Sequence, residues 1–270
     1  MEGLNISKYR KMVKKAIVTL AYGPDKPFYN DYFIPTLRAY AQKYNYDFYC
    51  LDELPDKRID RSSPVELVQL QKLLICSDDW TLKYDFLVWM DSDMIININQ
   101  APDVIEGIPE GKIGCANERK MFKYEFSQKV WDRWRPDLNQ STGKDYYKAY
   151  GYPDGFDDQF QGGVYVFQPK YHSQFLKDVY NKYVPAIING DKKNGDQGVI
   201  GYEAMKLGLE YWLDERWNMV WVLYRFLLYP FLNNRDHTSL LREALKNVYD
   251  LGYVLHMAGH VDWELLITDV

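Results

Sequence analysis

Cysteine is scarce in this chain. Cys50, Cys76 and Cys115 are the only three in 270 residues, far apart and without a CxxC pair. That excludes a disulfide framework and a cysteine-built zinc site, and it reads as reduced thiols in a reducing compartment. There is no basic surplus either: 33 Lys and Arg stand against 38 Asp and Glu, a net charge of -5. A dedicated binder of nucleic acid or of an anionic membrane needs a basic face, so neither is expected as a partner. No apolar run approaches the roughly 18 residues of a membrane span. The opening stretch MEGLNISKYRKMVKKA lacks the apolar segment of a signal peptide. A cytoplasmic protein without a membrane span is the expectation. Repeats, low-complexity tracts and linkers are missing too, which predicts one domain over 1–270.

What the chain does have is aromatic residues, 16% of the total with 24 Tyr and 8 Trp. Most belong in the core, and the excess suits a protein that handles sugars, whose C–H faces pack on flat rings. The elements alternate. Ala16–Ala21 is β-branched and apolar and ends at Tyr22-Gly23-Pro24, so it reads as a strand. A helix is expected over 30–44, a strand over 46–51, and a helix capped by Ser63, with Pro64 first, running to about Trp80. Phe86–Met90 is a third strand. This order predicts an α/β fold with a mostly parallel central sheet flanked by helices.

The later part is less regular. Met121–Trp134 reads as a helix bearing Trp131 and Trp134, and 136–155 as a long polar loop. Tyr146, Tyr147, Tyr150 and Tyr152 on that loop suggest an acceptor-side loop or lid, with a packed surface excursion as the plain alternative. Strands follow at 163–167 and 253–256, and helices at 171–183, 196–207 and 238–248.

The chemistry is concentrated where the third strand ends, in YDFLVWMDSDMII. Ligands of open parallel sheets bind beyond the carboxyl ends of the strands. Asp91 and Asp93 stand there, one residue apart. Two such carboxylates repel, and a divalent cation relieves the repulsion and uses both charges. Oxygen ligands favour Mg²⁺ or Mn²⁺. The plain alternative is a solvated Asx turn. A DxD after a strand also occurs in dehalogenase-type phosphatases, whose first Asp is a nucleophile. Met94 after Asp93, and two earlier strands, depart from that pattern.

The ordered set of segments resembles the GT-A-type glycosyltransferases, most closely the glycogenin-like family 8 of retaining enzymes. Val18–Ala21 is similar to the family's first strand, Trp89–Asp93 to its DxD segment, and Asp158–Pro169 to the sugar-site segment. Gly195-Asp196-Gln197-Gly198 is similar to its Asp-Gln motif, and His256-Met257-Ala258-Gly259 to its metal-binding histidine segment. The family's last motif continues to a diphosphate-binding Lys. Here His260-Val261-Asp262-Trp263 follows, without one.

The resemblance implies a metal-dependent transfer of sugar from a nucleoside diphosphate sugar, UDP-sugar first among them, to a hydroxyl of a glycan or glycoconjugate, with retention. About 14–100 would form the donor half of the domain and about 101–270 the sugar and acceptor half. Asp91, Asp93 and His256 would hold the metal, a mixed set that suits Mn²⁺. Thr19, Leu20, Ala21 and Tyr22 would line the base and ribose pocket. Asp91, Ser92, Gln161 and Gly259 would complete the donor's surroundings, with Lys72 or His260 as diphosphate cation. Asp158 and Gln161 would bond sugar hydroxyls. Asp196 and Gln197 would lie under the anomeric carbon. In an inverting enzyme Asp157, Asp158 or Asp196 would be the base. Asp196 also precedes an apolar helical pattern and could cap it. A phosphatase or nucleotide hydrolase, and an inactive sugar-binding protein of the same fold, are the competing readings.

Overall fold

The computed structural model describes residues 13–121, 142–190, 195–233 and 237–267. Its first strand, β1 (Lys15–Leu20), carries Ile17, Val18 and Thr19, whose branched side chains suit a pleated buried surface. A π-helical turn, Tyr29–Phe33, leads into helix α1 (Ile34–Lys43), which buries Leu37, Tyr40 and Ala41. Strands β2 (Asp47–Leu51) and β3 (Phe86–Met90) both pair with β1 in parallel. Between them lies helix α2 (Val65–Gln69), continued by a 3₁₀ turn, Leu70–Leu74.

That helix is shorter than the sequence suggested. Pro64 is extended (ψ 139°) and takes the cap position without a side-chain bond. The Ser63 hydroxyl accepts instead from the Asp60 amide (3.1 Å). The far end stops before Trp80 because Asp78 draws its neighbours into a turn. The Asp78 carbonyl accepts from the Thr81 amide and hydroxyl, and its carboxylate accepts from Trp80 Nε1.

The sheet is completed by β5 (Ile113–Asn117), β6 (Phe160–Phe167) and β7 (Glu210–Leu213), in the order β2-β1-β3-β6-β5-β7. Only β6 runs antiparallel to its neighbours. A second sheet, β4-β9-β8, joins β4 (Met94–Ile96), β8 (Met219–Val220) and β9 (Val254–His256). Met94 pairs with His256, so the residues just after the DxD meet the end of the chain. Strands β4, β5, β7 and β8 were not anticipated from the sequence, nor was helix 221–228. All are short or buried on both faces, so they lack alternation.

The segment 136–155 needs a second correction. From Thr142 onward it holds helix α3 (Gly143–Ala149), opened by a capping box in which Thr142 and Asp145 bond each other's backbone amides. Tyr146, Tyr147 and Tyr152 are buried; Tyr146 packs on Tyr147, Tyr147 on Phe156 and Tyr152 on Tyr202. These rings are core, not lid; polar residues between them disguised the helix. The expected helix over 121–134, with Trp131 and Trp134, lies outside the described residues apart from Met121.

Helix α4 (Pro169–Ile188) and helix α5 (Gly195–Lys206) pack on the face of the sheet that α2 covers. Helices α6 (Trp221–Leu228) and α7 (Thr238–Leu251) back the second sheet. Among the described residues no helix is long and apolar enough to cross a membrane. Replacing Thr142 by Ala should remove the capping box and lower stability by about 0.5–2 kcal/mol. Chemical denaturation of the two proteins measures it, and an unchanged midpoint would refute the cap's contribution.

Candidate active site

Strand β3 ends at Met90 and sets Asp91 on the same face as Trp89, because side chains two apart share a face. Trp89 Nε1 donates to Asp91 Oδ1 (2.6 Å). The same oxygen accepts from Lys72 Nζ (2.9 Å), on the 3₁₀ turn after α2. Lys72 also meets Asp196 Oδ2 on α5 (2.9 Å) and the Gly162 carbonyl of β6 (2.8 Å). It is only 3% exposed. Burial pulls the ammonium's pKa down, but Asp196 and Asp91 outweigh burial and hold it above the usual lysine value.

The other half of the site is built on the second sheet. The Met257 amide donates to the Asp93 carbonyl (2.9 Å), and His256 Nε2 lies 3.3 Å from Asp93 Oδ1. Asn218 Oδ1 lies 2.8 Å from His256 Nδ1. A proton on Nδ1 satisfies that contact and leaves Nε2 for a ligand. Burial disfavours the imidazolium, yet Asp93 raises the His256 pKa above its ordinary value. His256 in turn holds Asp93 low against its burial. Asp91 is pushed up by burial, and Asp93 and Asp196 add to it.

Three carboxylates therefore face one ammonium and one imidazole. The excess is negative, and it is greater when His256 is neutral. Ligand atoms of Asp91, Asp93 and His256 lie within 4.8 Å of one another. Two carboxylates and an imidazole at that spacing, with Asp91 and Asp93 only partly buried, fit a hard to borderline divalent cation.

Two glycines make this assembly possible. Gly162 and Gly163 are consecutive on β6 and face opposite sides. A Cβ on Gly162 would lie 2.8 Å from the Asp196 carboxylate. A Cβ on Gly163 would lie 2.8 Å from both His256 Nδ1 and Asn218 Nδ2 and would overlap Met94.

The cleft above these groups has a volume of about 240 Å³. Leu20, Tyr22, Tyr29, Gln69, Ser92 and Asp196 are among its walls. Of the four residues expected to line a base pocket, Leu20 and Tyr22 face it. Thr19 and Ala21 are fully buried in the sheet. The Arg61 guanidinium lies 5.5 Å from the Tyr22 ring centre.

Asp196 is the second residue of α5 rather than its cap. Lys72 and Tyr165 (3.2 Å) both use its Oδ2. Gln161 is buried and braces the glycine pair by accepting from the Gly163 amide (2.8 Å). Asp158 lies outside the cleft, bonded to Asn117 Nδ2 (2.7 Å) and near Lys120 (3.3 Å). Asp157 is exposed and pairs with Lys144. Gly259 and His260 are exposed and do not line the cleft. His260 stacks on Trp263 (4.1 Å) and faces Asp25 (3.8 Å).

In place of a basic residue the last segment carries Asp262, which binds Arg225 (2.7 Å) and accepts from Trp221 Nε1 (2.8 Å). Sequence reasoning missed Tyr29, Gln69, Asn218 and Glu118. Gln69 stands three residues before Lys72, a helical-face spacing that was readable. Asn218 carries no such signal. Burial with the charges of Asp93 and Asp25 pushes the Tyr29 hydroxyl well up, and Ser92 bonds it.

No known family profile matches the chain, and no curated protein matches it in sequence. Solved structures do. A glycosyltransferase involved in the glycosylation of the major capsid of PBCV-1 is 14% identical, with TM-score 0.55, over 93% of this chain and 97% of that one. The galactosyltransferase LgtC, in complex with donor and acceptor sugar analogues, is 15% identical, with TM-score 0.53, over 94% and 97%. The likeness shows the fold: this chain has the GT-A architecture.

Removing Lys72 leaves the buried Asp196 carboxylate unpaired and facing the partly buried Asp91, so Lys72→Ala should lower stability by about 3–5 kcal/mol. Gly163→Ala overpacks His256 and should cost about 1–3 kcal/mol. Urea unfolding at neutral pH measures both, and a loss under half a kcal/mol in either would contradict the packing described.

Proposed function

We propose that this chain is a metal-dependent glycosyltransferase. It moves a sugar from a nucleoside diphosphate sugar, UDP-sugar first, to a hydroxyl of a glycan or glycoconjugate, with retention at the anomeric carbon. The observation that carries the reading is the convergence of Asp91, Asp93 and His256, with the two aspartates and Asp196 on the walls of one cleft. The GT-A fold supports it, and so does the nature of the two neighbours, each a glycosyltransferase.

Asp91, Asp93 and His256 would hold Mn²⁺ or Mg²⁺. A bound divalent ion supplies Lewis-acid stabilisation of the charge that grows on the departing diphosphate. Tyr22 and Leu20 would receive the base and ribose, with the ring of Tyr22 as a stacking face. Lys72 fixes the carboxylates of Asp91 and Asp196 relative to each other, so that metal and sugar are held in one frame. Asp196 then offers negative charge to the anomeric carbon, either as an electrostatic partner or as a nucleophile. Gln197, beside it, would contact the sugar. Arg61, exposed beside the Tyr22 ring, is a second candidate, with Lys72, for contact with the diphosphate.

Two observations favour an inactive sugar-binding protein of this fold: Lys72 is already bonded to two carboxylates, and the segment after Gly259 brings no lysine, its Asp262 being paired with Arg225.

A thermal-shift panel of UDP, GDP, CDP and ADP, each with and without Mn²⁺, separates the readings. Saturation at 100 times the dissociation constant adds about 2.7 kcal/mol. A shift with one nucleotide, only with Mn²⁺ and lost in Asp93→Ala, is expected. Equal shifts without metal would sink the metal assignment, and no shift with any nucleotide would sink the donor assignment. The raised His256 pKa sets a sign. His256 must lose its proton to ligate, so Mn²⁺ affinity should rise with pH through and above the ordinary histidine range. Calorimetric titration at several pH values tests this; affinity that falls as pH rises would exclude His256.

A further inference from the structure

Among the described residues, Glu118 is the buried carboxylate near the site that the reading above leaves without a role. It follows β5 and is 7% exposed. Its Oε2 accepts from Gln159 Nε2 (2.8 Å), just before β6, and from Gln197 Nε2 on α5. Gln159 is 1% exposed, and its other amide atom, Oε1, is buried without a hydrogen-bond partner among the described residues. Two amides thus present the same end to one oxygen.

An ionised carboxylate only accepts, whereas an amide has a donating and an accepting end. As a carboxylate, Glu118 therefore permits one orientation of each glutamine, with NH₂ toward Glu118 and the carbonyl oxygen away from it. A neutral acid can also donate, and the choice of end is no longer enforced.

We propose that Glu118 is a positioning residue. Its carboxylate orients the amides of Gln197 and Gln159, so that Gln197 offers its carbonyl oxygen, not its NH₂, to the sugar that Asp196 and Gln197 would contact. The catalytic consequence rests on the transferase reading; the orientation does not. It fits the reaction, because an outward oxygen is complementary to the sugar's hydroxyl protons and to positive charge at the anomeric carbon.

The groups facing Glu118 are Arg119 on its own segment, His256 of β9, Tyr147 of α3 and Cys115 of β5. Burial raises the Glu118 pKa to about 7, against the pull of Arg119, the Gln197 amide and His256. Above that pH the carboxylate holds both amides. Below it the hold is released.

The test is a pH series of side-chain amide spectra on ¹⁵N-glutamine-labelled full-length protein, with Gln159→Glu and Gln197→Glu used to assign the signals. Both amides should move together with one midpoint near pH 7, and the movement should vanish in Glu118→Gln. Signals that do not titrate, or that still titrate in Glu118→Gln and so report His256, would overturn the proposal. No substrate is needed for this measurement.

The second arm uses Mn²⁺-dependent hydrolysis of the UDP-sugars UDP-glucose and UDP-galactose. Glu118→Gln should lower kcat at least tenfold with KM within about twofold, and Glu118→Asp should restore part of it. Full kcat in Glu118→Gln would overturn the catalytic consequence. Hydrolysis absent from the unaltered protein would count against the transferase reading, and the amide spectra would still decide the orientation.

Discussion

One ammonium between two carboxylates is the contact on which the site depends. Lys72 touches Asp91 at the end of β3, Asp196 on α5 and the Gly162 carbonyl of β6, and so it ties three elements at one buried point. Such a cluster adds little net stability over an apolar replacement, because each charge loses its water. What it supplies is position. Without it, Asp91 and Asp196 would repel, and β3 and α5 would lose the contact that sets their spacing at the cleft.

The two glycines of β6 extend the same constraint to the other face. The strand is too narrow to carry a side chain on either side at this level: Asp196 occupies one face and His256 with Asn218 the other. A single extended stretch thus separates the group that would meet the sugar from the group that would meet the metal, by no more than a backbone. Asn218 and Glu118 then act one step further out. One sets the ring nitrogen that His256 offers, and the other sets the amide end that Gln197 offers.

The sequence was most legible where hydrophobic pattern and special chemistry coincide. Phe86–Met90 is apolar, β-branched at Val88 and stopped by acids, and the strand has those bounds. Asp91, Asp93 and His256 could be named, and they converge. Legibility failed where a residue works through the space around it. Thr19 and Ala21 point into the sheet, not the cleft, because side-chain direction depends on which face the helices cover. Asp158 is bonded to Asn117, and His260 faces Asp25, neighbours that local spacing does not reveal. Tyr146 and Tyr147 looked like a lid because lysines and glycines surround them. The capping box at Thr142 was the readable sign that a helix, and hence a buried face, begins there.

The place of β6 has a consequence for how the molecule is made. Strand β3 has β1 on one side and β6 on the other, and β6 lies some seventy residues further along the chain. During synthesis the first three strands can pair while the far edge of β3, with Leu87, Val88 and Trp89, still lacks its neighbour. Such an open apolar edge is an aggregation hazard. The acids that close β3 carry like charge, which disfavours stacking of two such edges in register.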